Sequence, residues 1–104
     1  MGWVDDIFVS TITMPVSFGP KKRLWTLEQR GLDVSDAVLV FAGTVFEIED
    51  TRRDHGEWRI LCLGWLYGRM VMAGYTRRGE DRHVFSIRNA NEREKNRFQP
   101  HLGL

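Results

Sequence analysis

A change of hydrophobic period at Thr44 limits what this chain can fold into more than any other feature. Before it, apolar residues recur at helical spacing. Residues 20–30 open on Gly19-Pro20, carry Leu24 and Leu27 on one face with Trp25 beside them, and stop at Gly31, a residue suited to a left-handed cap. A second helix follows, capped by Asp33 or Ser35, with Ala37, Val38 and Phe41 as its apolar stripe and Gly43 as its end. After Thr44 the spacing is two, so successive side chains point to opposite faces of a strand.

Four alternating segments follow: residues 44–49, 57–65, 69–77 and 82–88. Leu66-Tyr67-Gly68 and Gly79-Glu80-Asp81 supply tight turns between the last three, and a polar connection over residues 50–56 precedes them. Asn91, with Glu94 three positions on, has capping-box spacing and starts a third helix that runs to about Phe98. Residues 7–14 are rich in β-branched types and read as a strand or extended arm. The order predicts an α+β domain: an antiparallel sheet of about four strands, with two N-terminal helices and one C-terminal helix. Strict alternation puts Glu57, Arg59, Leu61 and Leu63 on one side of their strand. It also puts His83, Phe85 and Ile87 on one side of the last strand, opposite Arg82, Val84, Ser86 and Arg88.

The 104 residues suit a single domain, and a 42% hydrophobic fraction is that of a folded chain. The net charge of +1 hides an asymmetry: residues 1–50 hold four Lys/Arg and eight Asp/Glu (−4), and residues 51–104 hold eleven and six (+5). A chain polarised in this way can engage an anionic partner through its second half. The lone cysteine, Cys62, lies between Leu61 and Leu63 and reads as an ordinary strand thiol. No apolar run approaches the roughly 20 residues of a membrane span, and the first residues lack a signal peptide's basic start, so a cytoplasmic location is expected.

His55, His83 and His101 have no paired spacing that would build a zinc site, and neither standard glycine-rich phosphate loop is present; no metal or cofactor is expected. What stands out is arginine on strands and turns, with Arg59, Arg78 and Arg88 accompanied by His83. Arginine's planar fork of donors suits phosphate oxygens, and histidine moves protons near neutral pH. RNA binding and cleavage fit that set.

Several pieces, in order, give the chain a resemblance: Phe18-Gly19-Pro20-Lys21-Lys22-Arg23, Leu27-Glu28-Gln29-Arg30-Gly31-Leu32, Ala37 with Phe41, Glu49-Asp50, Gly56-Glu57-Trp58-Arg59 ahead of Gly64, Thr76-Arg77-Arg78-Gly79, and the run from Ser86 to Glu94. From about Met14 to Phe98 the chain resembles the BrnT-type toxins of bacterial type II toxin–antitoxin systems, within the wider RelE-like ribonucleases. It departs from the usual family pattern at Gly19, where Asp is common before the proline, and at His83, where Arg is common and Arg82 stands alongside. Because the resemblance begins near Met14, residues 1–13 are read as an N-terminal extension, or Met14 as the start, and residues 14–104 as one toxin domain.

The resemblance implies a small metal-independent endoribonuclease that inhibits translation. A cognate antitoxin would neutralise it, and operator DNA would be bound only through the toxin–antitoxin complex. In that reading His83, or Glu57 in its place, accepts a proton from a ribose 2′-hydroxyl. Arg59, Arg78 and Arg88 hold the phosphate, and Lys22 and Arg82 add positive charge. Alternation puts His83 and Arg88 on opposite faces, an obstacle that only a twist or bulge removes. The alternatives are a degenerate toxin-like module that only binds an antitoxin or nucleic acid, and a nucleic-acid-binding regulator. Open sheet edges make a homodimer another expectation.

Overall fold

The computed structural model describes residues 7–9, 15–51 and 56–102. The boundary expected at Met14, and residues 52–55 of the polar connection with His55, lie outside the described residues. In chain order the elements are β1 (Ile7–Val9), β2 (Val16–Phe18), α1 (Pro20–Arg30), a 3-10 turn (Val34–Asp36), α2 (Ala37–Ala42), β3 (Phe46–Glu49), β4 (Arg59–Leu66), β5 (Arg69–Arg78), β6 (Asp81–Asn89), α3 (Glu92–Phe98) and a closing 3-10 turn (Gln99–Leu102).

The three helices and four alternating strands appear in the expected order, but β3 and β4 each begin two residues later than alternation suggests, leaving Thr44, Val45, Glu57 and Trp58 outside the strands; β3, β4, β5 and β6 pair antiparallel in succession. The sheet itself is larger than expected. It has six strands in the order β1-β2-β6-β5-β4-β3, and β2 runs parallel to β6, so the sheet is mixed rather than antiparallel. The cause of the difference is local: β2 has three residues between Pro15 and Gly19, too few for alternation to register. Its pairing with Arg82 and His83 is made across most of the chain.

Local chemistry explains the helix ends. Pro20 sits at the first position of α1, and Gly31 closes it at φ +67° while donating its N–H to the Leu27 carbonyl at 3.1 Å. Asp33 caps the turn before α2 by accepting from the Ser35 N–H at 3.0 Å. The capping box of α3 is complete, with Glu94 N–H donating to Asn91 Oδ1 at 2.8 Å and Asn91 N–H donating to Glu94 Oε1 at 2.9 Å.

Two cores form, one on each sheet face. On the first, Cys62, Leu66, Val71, Ala73, Tyr75, Val84 and Ile87 pack with Val34, Ala37 and Val40 from the α2 side. Gly64 lets α2 approach β4: a Cβ there would stand 2.8 Å from Val40 Cγ1. On the second face, Leu63, Met70 and Met72 pack with Phe98 and Leu102 from α3 and the closing turn. Burying a side chain such as Leu63 contributes about 1.5–3 kcal/mol. α1 is seated through Thr26, which is fully buried, and leaves Leu24, Trp25 and Leu27 exposed.

The register of β5 with β6 slips between Gly74 and Tyr75. Tyr75 faces Val84 and Gly74 faces Ser86, so Phe85 is the extra residue of a β-bulge. Its ring lies over Gly74, where a Cβ would come within 2.7 Å of Phe85 Cε1 and Cζ. The bulge corrects the expected faces of β6. His83 pairs with Thr76 and Arg88 with Met72, both on the second face, whereas Val84 and Ile87 pair with Tyr75 and Ala73 on the first.

Candidate functional site

α3 covers only the part of the second face that holds Leu63, Met70 and Met72. Beyond it, the register lines up Ser17, His83, Thr76 and Arg59 across β2, β6, β5 and β4. This row mixes burial with charge. Ser17 and Thr76 are buried, and His83 is 9% exposed with Nδ1 2.8 Å from Ser17 Oγ. Thr76 donates its hydroxyl to the Trp58 carbonyl at 2.7 Å, satisfying a buried polar group and pinning the start of β4.

Arg59 ends the row. Its Nε lies 3.3 Å from Glu57 Oε1, and its guanidinium carbon stands 4.4 Å from the centre of the Phe85 ring. A cation over an aromatic face is held by the ring quadrupole. Arg78 is two residues beyond Thr76 on β5, on the same face, and is exposed. Arg59, Arg78, His83 and Arg88 thus share one side of the sheet, and Glu57, in the bend before β4, reaches Arg59 from outside it.

Arg88 sits further along that side in a different setting. Its Nη1 donates to Glu94 Oε1 at 2.8 Å and its Nη2 to Glu94 Oε2 at 2.7 Å, a fork-to-fork ion pair. The pair opens on a cleft of about 390 Å³ whose floor is Ile48, Leu61, Met72 and Phe98. Arg93 and Arg97, four apart on α3, form its rim with Arg88 and Glu94. Leu61 belongs to the cleft and lies two residues from Arg59 on β4, so cleft and row are continuous.

The structure does not bring Lys22 or Arg82 to this group. Lys22 belongs to α1, with its ammonium 4.6 Å from the centre of the Trp25 ring. Partial burial, and then the charge of Arg30, push its pKa down. Arg82 pairs with Arg77 on the first face, its guanidinium between the rings of Phe41 and Tyr75 at 4.5 and 5.4 Å. Its Nε and Nη1 are buried with no hydrogen-bond partner among the described residues. Tyr75 there donates to Glu47, and burial together with that carboxylate pushes its hydroxyl up to about 12.

Cys62 is fully buried on the same first face, and burial pushes its thiol up to about 12, the opposite of what a nucleophile needs. Among the described residues no three His, Cys, Asp or Glu side chains converge as a metal-ligand set, and no helix is long and apolar enough to cross a membrane.

Sequence reasoning gives Ser17, Thr76 and Phe85 no role in the site. One signal pointed at Phe85: an isolated glycine inside a strand, Gly74, marks a bulge or a close approach. Ser17 carries no such signal, because its place beside His83 depends on a pairing 66 residues long.

The architecture is that of a small α+β domain whose second sheet face carries Arg59, Arg78 and Arg88. The family model for the ribonuclease toxin BrnT of type II toxin–antitoxin systems matches residues 18–94, and the chain belongs to that family. No curated protein matches it. The matched span runs from the end of β2 into α3 and includes Glu57 with the four residues on the second face, Arg59, Arg78, His83 and Arg88.

Proposed function

We propose that the chain is a metal-independent endoribonuclease, the toxin of a type II toxin–antitoxin pair, and that its catalytic centre is the part of the second sheet face around His83, Arg59 and Arg78. One observation carries the assignment: with the bulge at Phe85, His83 and Arg88 lie on the same side as Arg59 and Arg78, and Glu57 reaches Arg59 there. Membership of a ribonuclease toxin family supports the same reading.

In this mechanism a proton acceptor, His83 through Nε2 or Glu57 through its carboxylate, takes the proton of a ribose 2′-hydroxyl. The 2′-oxygen then attacks the adjacent phosphorus, and the bond to the 5′-oxygen breaks as that oxygen takes up a proton from water, the acceptor's proton returning to solvent. A 2′,3′-cyclic phosphate and a 5′-hydroxyl end result. Arg59 and Arg78 bind the phosphate and stabilise the charge that develops on its oxygens. Arg88, committed to Glu94, orients the neighbouring cleft. Inhibition of translation follows from the loss of RNA, and a cognate antitoxin is the partner that covers the site.

A second reading, a module that binds an antitoxin or nucleic acid without cutting, is favoured by the burial of His83 and its hold on Ser17. Incubating purified protein with a mixed-sequence RNA in EDTA separates the two. Cleavage that falls about 10²- to 10³-fold in Arg59→Ala and Arg78→Ala, with native circular dichroism, is the expected result. RNA that stays intact with folded wild-type protein sinks the enzymatic reading in favour of the binding one.

A further inference from the structure

We infer that the cleft between α3 and the sheet is a nucleotide subsite, which holds one unstacked base and the phosphate beside it from a single-stranded RNA lying across the second face. The identity of the ligand rests on the ribonuclease reading. The place and chemistry of the subsite rest on the cleft itself.

Its floor and its rim have different chemistries. Ile48, Leu61, Met72 and Phe98 give an apolar, polarisable floor, and Phe98 adds a ring at the α3 end. Around this floor stand three guanidinium groups, Arg88, Arg93 and Arg97, against one carboxylate, Glu94. A base flanked by phosphates complements that arrangement, because every base offers a π-face to an apolar or aromatic surface and its backbone offers anions to arginine. A volume of about 390 Å³ lies in the range of sites that accept small organic groups.

The position of the cleft adds direction. Leu61 is two residues from Arg59, about 7 Å along the strand, close to the separation of neighbouring phosphates in an extended strand of RNA. A chain whose scissile phosphate lies at Arg59 and Arg78 places its next nucleotide in the cleft. The ion pair of Arg88 with Glu94 fixes the α3 wall and leaves Arg93 and Arg97, both exposed, to meet the backbone. The spacing of Arg93 and Arg97 on one helix face, with no role in the proposed catalytic step, then has a use.

The test uses a short fluorescein-labelled 2′-O-methyl oligonucleotide, which cannot be cleaved, beside the same backbone with its bases removed, both followed by anisotropy. The full chain should bind the base-bearing probe at least tenfold more tightly than the abasic one. Leu61→Gln should erase most of that preference. Arg93→Ala with Arg97→Ala should weaken the base-bearing probe at least tenfold and reduce the salt slope by about 1.4, the value for two single-strand phosphate contacts. Arg69→Ala, remote from the cleft, controls for general charge.

Equal binding of the two probes, or an equal loss with Arg69→Ala, overturns the subsite. So does tight binding of a synthetic acidic amphipathic peptide that depends on Arg93 and Arg97 while neither oligonucleotide binds, a result that would assign the cleft to a protein. Because the probe is uncleavable, the result is independent of catalysis. Base-selective binding without cleavage of unmodified RNA keeps the subsite and sinks the ribonuclease reading, and cleavage with no base selectivity does the reverse.

Discussion

His83 and Arg88 face the same side of the sheet although they are five positions apart on one strand, because Phe85 is bulged out between them. The bulge in turn depends on Gly74, whose missing side chain leaves room for the Phe85 ring. Gly74→Ala should therefore destabilise the protein by about 1–3 kcal/mol, the usual cost of overpacking. Combining it with Phe85→Leu should recover part of that loss, with a coupling of about 0.5–3 kcal/mol. Urea unfolding of both single variants and the double reads this directly, and strictly additive effects would show that ring and glycine are independent.

Arg59 and Arg88 should separate when each becomes alanine. Arg88→Ala leaves Glu94 without its guanidinium partner at the start of α3, and loss of these charge-assisted bonds should cost about 1.5–3 kcal/mol. Arg59→Ala loses a partly exposed ion pair with Glu57 and its stacking over Phe85 and should cost about 1 kcal/mol, less than Arg88→Ala, while cutting cleavage about 10²- to 10³-fold. A large stability loss at Arg59, or none at Arg88, contradicts the division of roles.

The Cys62 thiol should resist alkylation in the native protein. With the thiol pushed up to about 12 and no exposure, its rate with iodoacetamide at pH 8 should follow the fraction of unfolded chain across a urea titration. Rapid labelling of folded protein would contradict the burial.

Acid stability carries a signature of Asp33. The Arg23 guanidinium, 2.8 Å away, holds this carboxyl well below the usual range, assisted by Ser35. A lowered folded-state pKa stabilises the fold above the unfolded value of about 3.9, and the contribution is lost as pH falls from there through the folded value. Asp33→Asn should lower the unfolding midpoint at pH 7 and make it less sensitive to acid below about pH 4. A variant that loses stability in acid as steeply as the wild type would assign that dependence to other groups.

Elements with a strong local signature were legible in the sequence. Pro20, Gly31, Asn91 with Glu94, and the turns at Gly68 and Gly79 each act on neighbours within a few residues, and all appear where expected. The sides of β6 were not legible, because one bulged residue reverses every later assignment on a strand of period two. Arg82 shows the same limit: as an arginine it suited phosphate, but its side of the strand carries it between Phe41 and Tyr75. The parallel strand β2 escaped because nothing local encodes a partner so distant.

The union of β2 with β6 also sets a timetable. Chains leave the ribosome N-terminus first, and a contact spanning 66 residues forms only after most of the intervening sequence has emerged. Ser17 waits for His83, and the cleft waits longer still for Arg93, Arg97 and Phe98. A nascent copy can close the β4–β5 hairpin early, but its second sheet face is complete only once α3 has left the ribosome.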